Sequence, residues 1–117
     1  MVYLIDDDKS VRRGFESFLE SAEMEFKSTE SVEDFLSIFR PDKNDLLVLD
    51  LNLPGLKGTD LLIKLDEAGI SIPVIVVTSF DNAESREICR KYGIKEFLRK
   101  PVDAEALIDL IKYNTQS

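Results

Sequence analysis

Residues 46–58 read LLVLDLNLPGLKG, and this stretch decides the fold. Its first four residues form an unbroken apolar run, which is typical of a strand buried on both faces of a parallel sheet. Asp50 closes the run, and the proline and glycines that follow indicate a loop. A helix is predicted over 59–68, with Gly69 as its C-cap. The stretch therefore predicts a strand, a loop and a helix, with an acid at the carboxyl end of the strand.

Units of the same kind lie on both sides of this stretch. The predicted strands cover residues 2–5, 25–28, 46–49, 73–77 and 94–98. The predicted helices open at Ser10, Ser31, Thr59, Asp81 and Asp103. Regular alternation of strands and helices favours right-handed crossovers and a parallel sheet covered on both faces. We therefore expect an α/β fold: a flavodoxin-like, doubly wound sheet of five strands in the order 2-1-3-4-5, with five helices.

Length and composition fit one ordinary domain. The chain has 117 residues, of which 44% are hydrophobic, and no apolar run approaches a membrane span. Its single cysteine, Cys89, cannot form an intramolecular disulfide, which suits a reducing compartment. The N-terminus shows no signal peptide, so a cytoplasmic location without membrane contact is expected. We expect the domain to cover residues 1–114 and residues 115–117 to form a frayed tail.

The charge and the missing residue types narrow the chemistry. The formal net charge is -8, with 23 acidic and 15 basic side chains, which argues against direct nucleic-acid binding by this domain. The chain contains no histidine, which excludes imidazole bases and histidine-ligated zinc. A divalent metal would therefore be held by oxygen ligands, as Mg²⁺, Ca²⁺ and Mn²⁺ are.

Polar side chains follow the predicted strands where these strands end. Asp6 and Asp7 follow the first strand, Asp50 the third, Thr78 the fourth and Lys100 the fifth. The carboxyl ends of parallel strands share one edge, so we expect these groups to meet in one crevice. Carboxylates packed together repel each other, and a divalent cation such as Mg²⁺ removes that repulsion. An ionised Asp50 could then attack phosphorus and form an aspartyl phosphate, with Lys100 and Thr78 as donors.

The order of these pieces resembles the receiver domain of bacterial response regulators, a superfamily that includes the chemotaxis regulators. The pieces are Asp6-Asp7, the stretch 47–58 around Asp50, Val-Val-Thr-Ser at 76–79, and Lys100-Pro101. Together they cover essentially the whole chain. The resemblance implies a phosphoacceptor regulator that promotes its own phosphotransfer and dephosphorylation, and not an enzyme acting on other substrates.

The resemblance also implies the roles of the site residues. Asp50 would be the phosphoacceptor. Asp7, Asp50 and the backbone carbonyl of Asn52 would hold Mg²⁺ directly, and Asp6 would act through water. Lys100 would contact both the phosphoryl group and Asp50, and its bond to the following proline would be cis.

A switch and its partners are implied as well. Thr78 would move inward on phosphorylation and Phe97 would follow it. The surface of the fourth helix, fifth strand and fifth helix would then change, to control an output partner or domain or to form a homodimer. The phosphoryl donor would be a sensor histidine kinase or a histidine phosphotransfer domain. The sequence KEFLRKP at 95–101 favours receivers attached to transcription regulators of the LuxR or NtrC type.

Several alternatives stay open at this point. A degenerate receiver could act as a constitutive protein-interaction module. A phosphatase of the haloacid-dehalogenase type would need a second acid at position 52, where this chain has Asn52. A nucleotide or flavin binder would need a glycine-rich loop after the first strand, and none is present. Individual residues also have simpler interpretations: Asp8 as a helix cap, Phe97 as plain core. Phe80 could shield an acyl phosphate from water.

Overall fold

The computed structural model describes residues 1–79, 82–94 and 96–115, in which strands and helices alternate. The strands are β1 (Val2–Ile5), β2 (Phe26–Thr29), β3 (Leu46–Leu49), β4 (Val74–Thr78) and β5 (Glu96–Arg99). The helices are α1 (Lys9–Ser21), α2 (Val32–Ile38), α3 (Gly58–Glu67), α4 (Ala83–Lys91) and α5 (Ala104–Thr115).

The strands form one parallel sheet in the order β2-β1-β3-β4-β5, which confirms the predicted topology. The chain places β2 on one side of β1 and then β3, β4 and β5 on the other side. The strand order therefore changes direction between β1 and β3. In the register of this sheet, Ile5 of β1 lies beside Leu49 of β3. Asp6 and Asp50, which follow these two residues, are therefore brought to the same edge.

Each face of the sheet is covered by its own apolar layer. On one face α1 and α5 pack through buried residues such as Phe15 and Ile111. On the other face α2, α3 and α4 contribute buried residues such as Phe35, Leu61 and Cys89. The Phe35 ring contacts Tyr3 of β1 edge-on, at 5.3 Å between centroids. β3 is buried along its whole length, which explains its unbroken apolar sequence.

Local caps fix where the helices begin. Asp8 caps α1, because its carboxylate accepts hydrogen bonds from the backbone N–H groups of Ser10 and Val11. Ser31 caps α2 as its sequence predicts. The cap of α4 is Asn82, which accepts from the backbone N–H of Ser85 at 2.7 Å. Asp81, the predicted start of this helix, lies outside the described residues, as does Phe80.

Several predicted elements, such as β2 and β4, are shifted by one residue in the structure, and two larger differences also occur. β5 begins at Glu96 and not at Ile94, because the Ile94 N–H bonds to the Cys89 carbonyl at 2.9 Å and so completes the end of α4. Phe18, predicted on the apolar face of α1, is 47% exposed because that face is wider than the contact with the sheet.

α5 extends to Thr115, and the predicted limits of the domain stay a prediction. In the ranges that the structure describes, no helix has both the length and the apolar character of a bilayer span.

Candidate functional site

The carboxyl edge of the sheet brings together the residues that follow its strands. Asp6 follows β1, Asp50 follows β3, and Thr78 ends β4. These three residues are 1%, 4% and 0% exposed, so two acids and a hydroxyl are buried at the edge of the core. Buried carboxylates need a compensating partner, since their charge is costly to remove from water. The site is thus polar and closely packed, although most of the surrounding residues are apolar.

Lys100 supplies that partner. Its ammonium nitrogen lies 2.7 Å from Oδ2 of Asp6 and 3.2 Å from Oδ2 of Asp50. Its backbone N–H donates to the carbonyl oxygen of Thr78 at 2.9 Å, which fixes the loop after β5 beside the end of β4. The bond between Lys100 and Pro101 is cis, as the resemblance implied. One cation therefore bridges two carboxylates that are far apart in sequence.

The surroundings of Asp50 act on its pKa in opposite directions. Burial raises the pKa of Asp50 above its ordinary value. The hydrogen bond from the backbone N–H of Asn52, 3.1 Å from Oδ1, and the charge of Lys100 lower this pKa, while the charge of Asp6 raises it again. Both carboxylate oxygens thus have a donor, and the group is held in one orientation.

The pKa of Lys100 reflects the same balance. Burial lowers this pKa, but the hydrogen bond to Asp6 and the charges of Asp50 and Asp6 outweigh burial and raise it above its ordinary value. Lys100 is therefore firmly cationic at neutral pH. A cation held in this way can attract a further anionic group placed beside Asp50.

The acidic groups also fit a divalent metal ion. Asp6, Asp7 and Asp50 each offer a carboxylate oxygen, and these oxygens all lie within 4.8 Å of one another. Asp7 is exposed, so this group of ligands opens to solvent on one side. Mg²⁺ prefers a few carboxylates and keeps several waters, and an open acidic cluster of this kind meets that preference. The metal roles of Asp7, Asp50, Asp6 and the Asn52 carbonyl stay predictions.

Asp6 is held in place by its surroundings. Its Oδ1 accepts a hydrogen bond from the backbone N–H of Asp8 at 3.0 Å. Its own carbonyl accepts from Arg12 of α1 at 2.8 Å. Because Asp8 also caps α1, the start of that helix and the Asp6 carboxylate are joined by hydrogen bonds.

Phe97 lies on the same side of the sheet as Thr78. It pairs with Val76 of β4, and Thr78 follows two residues later on the same face. The Phe97 ring is half-buried and packs against the layer that includes Val76. The structure therefore places both predicted switch residues on one face of neighbouring strands, two positions apart in register, and their movement stays a prediction.

Two contacts near the site are not predicted by the sequence. A Cβ atom at Gly58 would lie 2.8 Å from the Asp50 carbonyl and 2.9 Å from Cα of Leu51, so α3 starts directly against the backbone of the acidic residue. The sequence shows this glycine only as part of a loop. Arg86 of α4 lies over the Phe97 ring at 4.5 Å from its centroid, and no sequence motif marks this arginine.

The family model described as the response regulator receiver domain matches residues 2–112. Nodulation protein W of Bradyrhizobium diazoefficiens is 32% identical over 116 residues, which cover 99% of this chain and 51% of that protein. Transcriptional regulatory protein FixJ of Rhizobium meliloti is 33% identical over 112 residues, which cover 95% of this chain and 54% of that protein.

The solved structure of response regulator StyR is similar with a TM-score of 0.89 and 35% identity. The similarity covers 98% of this chain and 58% of that one. The chain spans about half the length of these two curated relatives.

Proposed function

Because the chain belongs to the response regulator receiver domain family, the class of phosphoacceptors in two-component signalling, we propose that it accepts a phosphoryl group on Asp50. The observation that carries this proposal is the bridging of Asp6 and Asp50 by Lys100 at 2.7 Å and 3.2 Å. A buried carboxylate beside a fixed cation suits a nucleophile whose product is an anion. Asp6 is also buried at a strand end beside Lys100, and the resemblance of the stretch around Asp50 to the family selects Asp50 as the acceptor.

We further propose that Mg²⁺ takes part. Asp7, Asp50 and the backbone carbonyl of Asn52 would hold the ion, with Asp6 acting through water. When bound, the ion neutralises the carboxylates and the charge on the phosphoryl oxygens. The oxygens of Asp6, Asp7 and Asp50, all within 4.8 Å of one another, support this assignment.

The chain's own residues would supply orientation and charge. An oxygen of Asp50 forms the new bond to phosphorus, while the bond from phosphorus to the donor's histidine nitrogen breaks and its electron pair stays on the imidazole. Lys100 holds a phosphoryl oxygen through its ammonium group, and Thr78 donates its hydroxyl to another. Transfer of this kind depends mainly on positioning and charge neutralisation, and the site offers both.

The signal would leave through Phe97 and the face formed by α4, β5 and α5. We propose that Thr78 moves toward the phosphoryl group, that Phe97 follows, and that this face then binds an output partner, an output domain or a second copy. The donor would be a sensor histidine kinase or a phosphotransfer domain. A transcriptional output is supported by the similarity to FixJ, a transcriptional regulatory protein.

The test is incubation with acetyl phosphate and Mg²⁺, followed by measurement of the intact mass. We expect a single added phosphate, which is absent in Asp50→Asn and retained in Asp66→Asn, a matched change of an exposed acid on α3. Unchanged phosphate uptake in Asp50→Asn would contradict the proposal. No uptake by the wild-type chain would instead favour a constitutive interaction module.

A further inference from the structure

Arg86 and Phe97 form a contact between α4 and β5. The guanidinium carbon of Arg86 lies 4.5 Å from the centre of the Phe97 ring. A cation at this distance over an aromatic face is attracted by the ring quadrupole, and the flat guanidinium group of arginine also stacks on the ring. Arg86 is exposed on α4, while Phe97 is half-buried on β5. The contact thus joins a surface side chain of the helix to a side chain of the core.

Phe97 lies between the end of β4 and α4. Phe97 pairs with Val76, and Thr78 lies two residues further along β4 on the same face. The ring packs against the apolar layer to which Cys89 of α4 also belongs. Phe97 is therefore next to the end of β4 on one side and under α4 on the other. A displacement of the ring must change its contact with Arg86.

α4 has few other apolar attachments to the body of the domain. Cys89 is its buried residue, and Ile88 is half-buried. Elements with few buried apolar contacts move at low cost in free energy. The stacking of Arg86 on Phe97 is therefore one of the contacts that hold α4 relative to β5. It is also a contact that the movement of one aromatic ring can make or break.

We infer that Arg86 is a positioning residue that couples Phe97 to α4, so that a change in the ring at the site is passed to the helix. This inference rests on the proposed function and names how the signal of that site crosses to the surface. Coupling of two elements through one contact is reciprocal, since whatever moves the ring biases the helix and the reverse. Removing the guanidinium group of Arg86 should uncouple α4 from Phe97 without altering the chemistry at Asp50.

The experiment compares amide NMR spectra of the chain with and without beryllofluoride plus Mg²⁺. The amides of Asn52 and Ser79 report the site, and those of Ile88, Cys89 and Tyr92 report α4 and its end. In the wild-type chain we expect both groups to shift. In Arg86→Met, which keeps much of the length but loses the charge and the flat face, the shifts in α4 should fall by at least half while those at the site remain.

Two variants control for charge and for folding. Arg90→Met removes an exposed arginine of the same helix, which pairs with Glu87 at 3.2 Å, and should leave the α4 shifts as in the wild type. Arg86→Lys keeps a cation and should restore part of the response.

The outcomes separate this inference from the proposed function. Unchanged α4 shifts in Arg86→Met, with a normal response at the site, would overturn the coupling role alone. No response at Asn52 and Ser79 in the wild type would overturn the proposed function, and the coupling role with it.

Discussion

The ammonium nitrogen of Lys100 lies nearer to Asp6 than to Asp50, at 2.7 Å against 3.2 Å. Asp6 is fully buried, and its carboxylate accepts a hydrogen bond from the backbone N–H of Asp8. This fixed carboxylate therefore holds the Lys100 ammonium group in place. An anchored cation needs little reorganisation when a new anionic group arrives. Asp6 can therefore act on the lysine in addition to its proposed role toward the metal.

Replacing Lys100 with methionine should destabilise the folded chain and abolish phosphate uptake. Two buried carboxylates would lose their shared cation, which should lower the free energy of unfolding by about 3 kcal/mol. Urea unfolding without Mg²⁺ measures this cost, and the intact mass after acetyl phosphate measures the uptake. Lys64→Met, a change of an exposed lysine on α3, is the control and should alter neither quantity. Full phosphate uptake in Lys100→Met would contradict the role of the lysine.

Replacing Asp50 with asparagine should raise the free energy of unfolding at neutral pH in the absence of Mg²⁺, because the amide carries no charge to be buried. Burial, the largest influence, raises the pKa of Asp50 above its ordinary value of 3.8, so the folded chain binds this proton more tightly than the unfolded chain. The carboxyl therefore favours folding below that value and loses its contribution as the pH rises through the folded-state pKa.

The advantage of Asp50→Asn should accordingly be largest at neutral pH and vanish once the pH falls below 3.8. Urea unfolding of both chains across this range measures it. Asp34→Asn, a change of an exposed acid on α2, provides the matched comparison. An advantage that grows as the pH falls would contradict the assignment of a raised pKa.

Adding Mg²⁺ should stabilise the wild-type chain with a saturable dependence on concentration. At a concentration one hundred times the dissociation constant, the free energy of unfolding should increase by about 2.7 kcal/mol. Asp7→Asn should weaken this effect strongly while leaving the metal-free stability nearly unchanged, because Asp7 is exposed. Thermal unfolding at several Mg²⁺ concentrations measures both. Equal stabilisation of wild type and Asp7→Asn would remove Asp7 from the metal site.

Replacing Gly58 with alanine should disturb the loop that carries Asp50. The added Cβ would lie 2.8 Å from the Asp50 carbonyl, and backbone must shift to admit it. We expect a loss of roughly 2 kcal/mol in stability together with slower phosphate uptake.

Gly14→Ala in α1 is the matched control for this change, because a Cβ there meets nothing within 4 Å. It should stabilise the chain by about 0.5–1 kcal/mol through helix propensity. Urea unfolding measures the difference in stability between the two variants. A Gly58→Ala chain as stable as Gly14→Ala would show that the loop after Asp50 admits the added Cβ without cost.

Much of the fold could be predicted because it depends on the pattern of apolar residues along the chain. The unbroken apolar run ending in Asp50 has the burial pattern of an inner parallel strand, and β3 is buried throughout. The exact edges were less predictable. β5 starts two residues after the predicted position, because Ile94 bonds back to α4, and a sequence pattern does not specify which backbone partner a strand edge takes.

The sequence by itself determined that Asp6, Asp50, Thr78 and Lys100 meet at one edge, because parallel strands deliver their carboxyl ends to the same side. Only the tertiary structure decided the closer pairing of Lys100 with Asp6 and the approach of Gly58 to the Asp50 backbone. The tertiary structure also decided the position of the Arg86 guanidinium group over the Phe97 ring. These three relationships depend on how separate helices, strands and loops pack in space. Distances of a few ångströms between elements remote in sequence leave no local periodic signal in the chain.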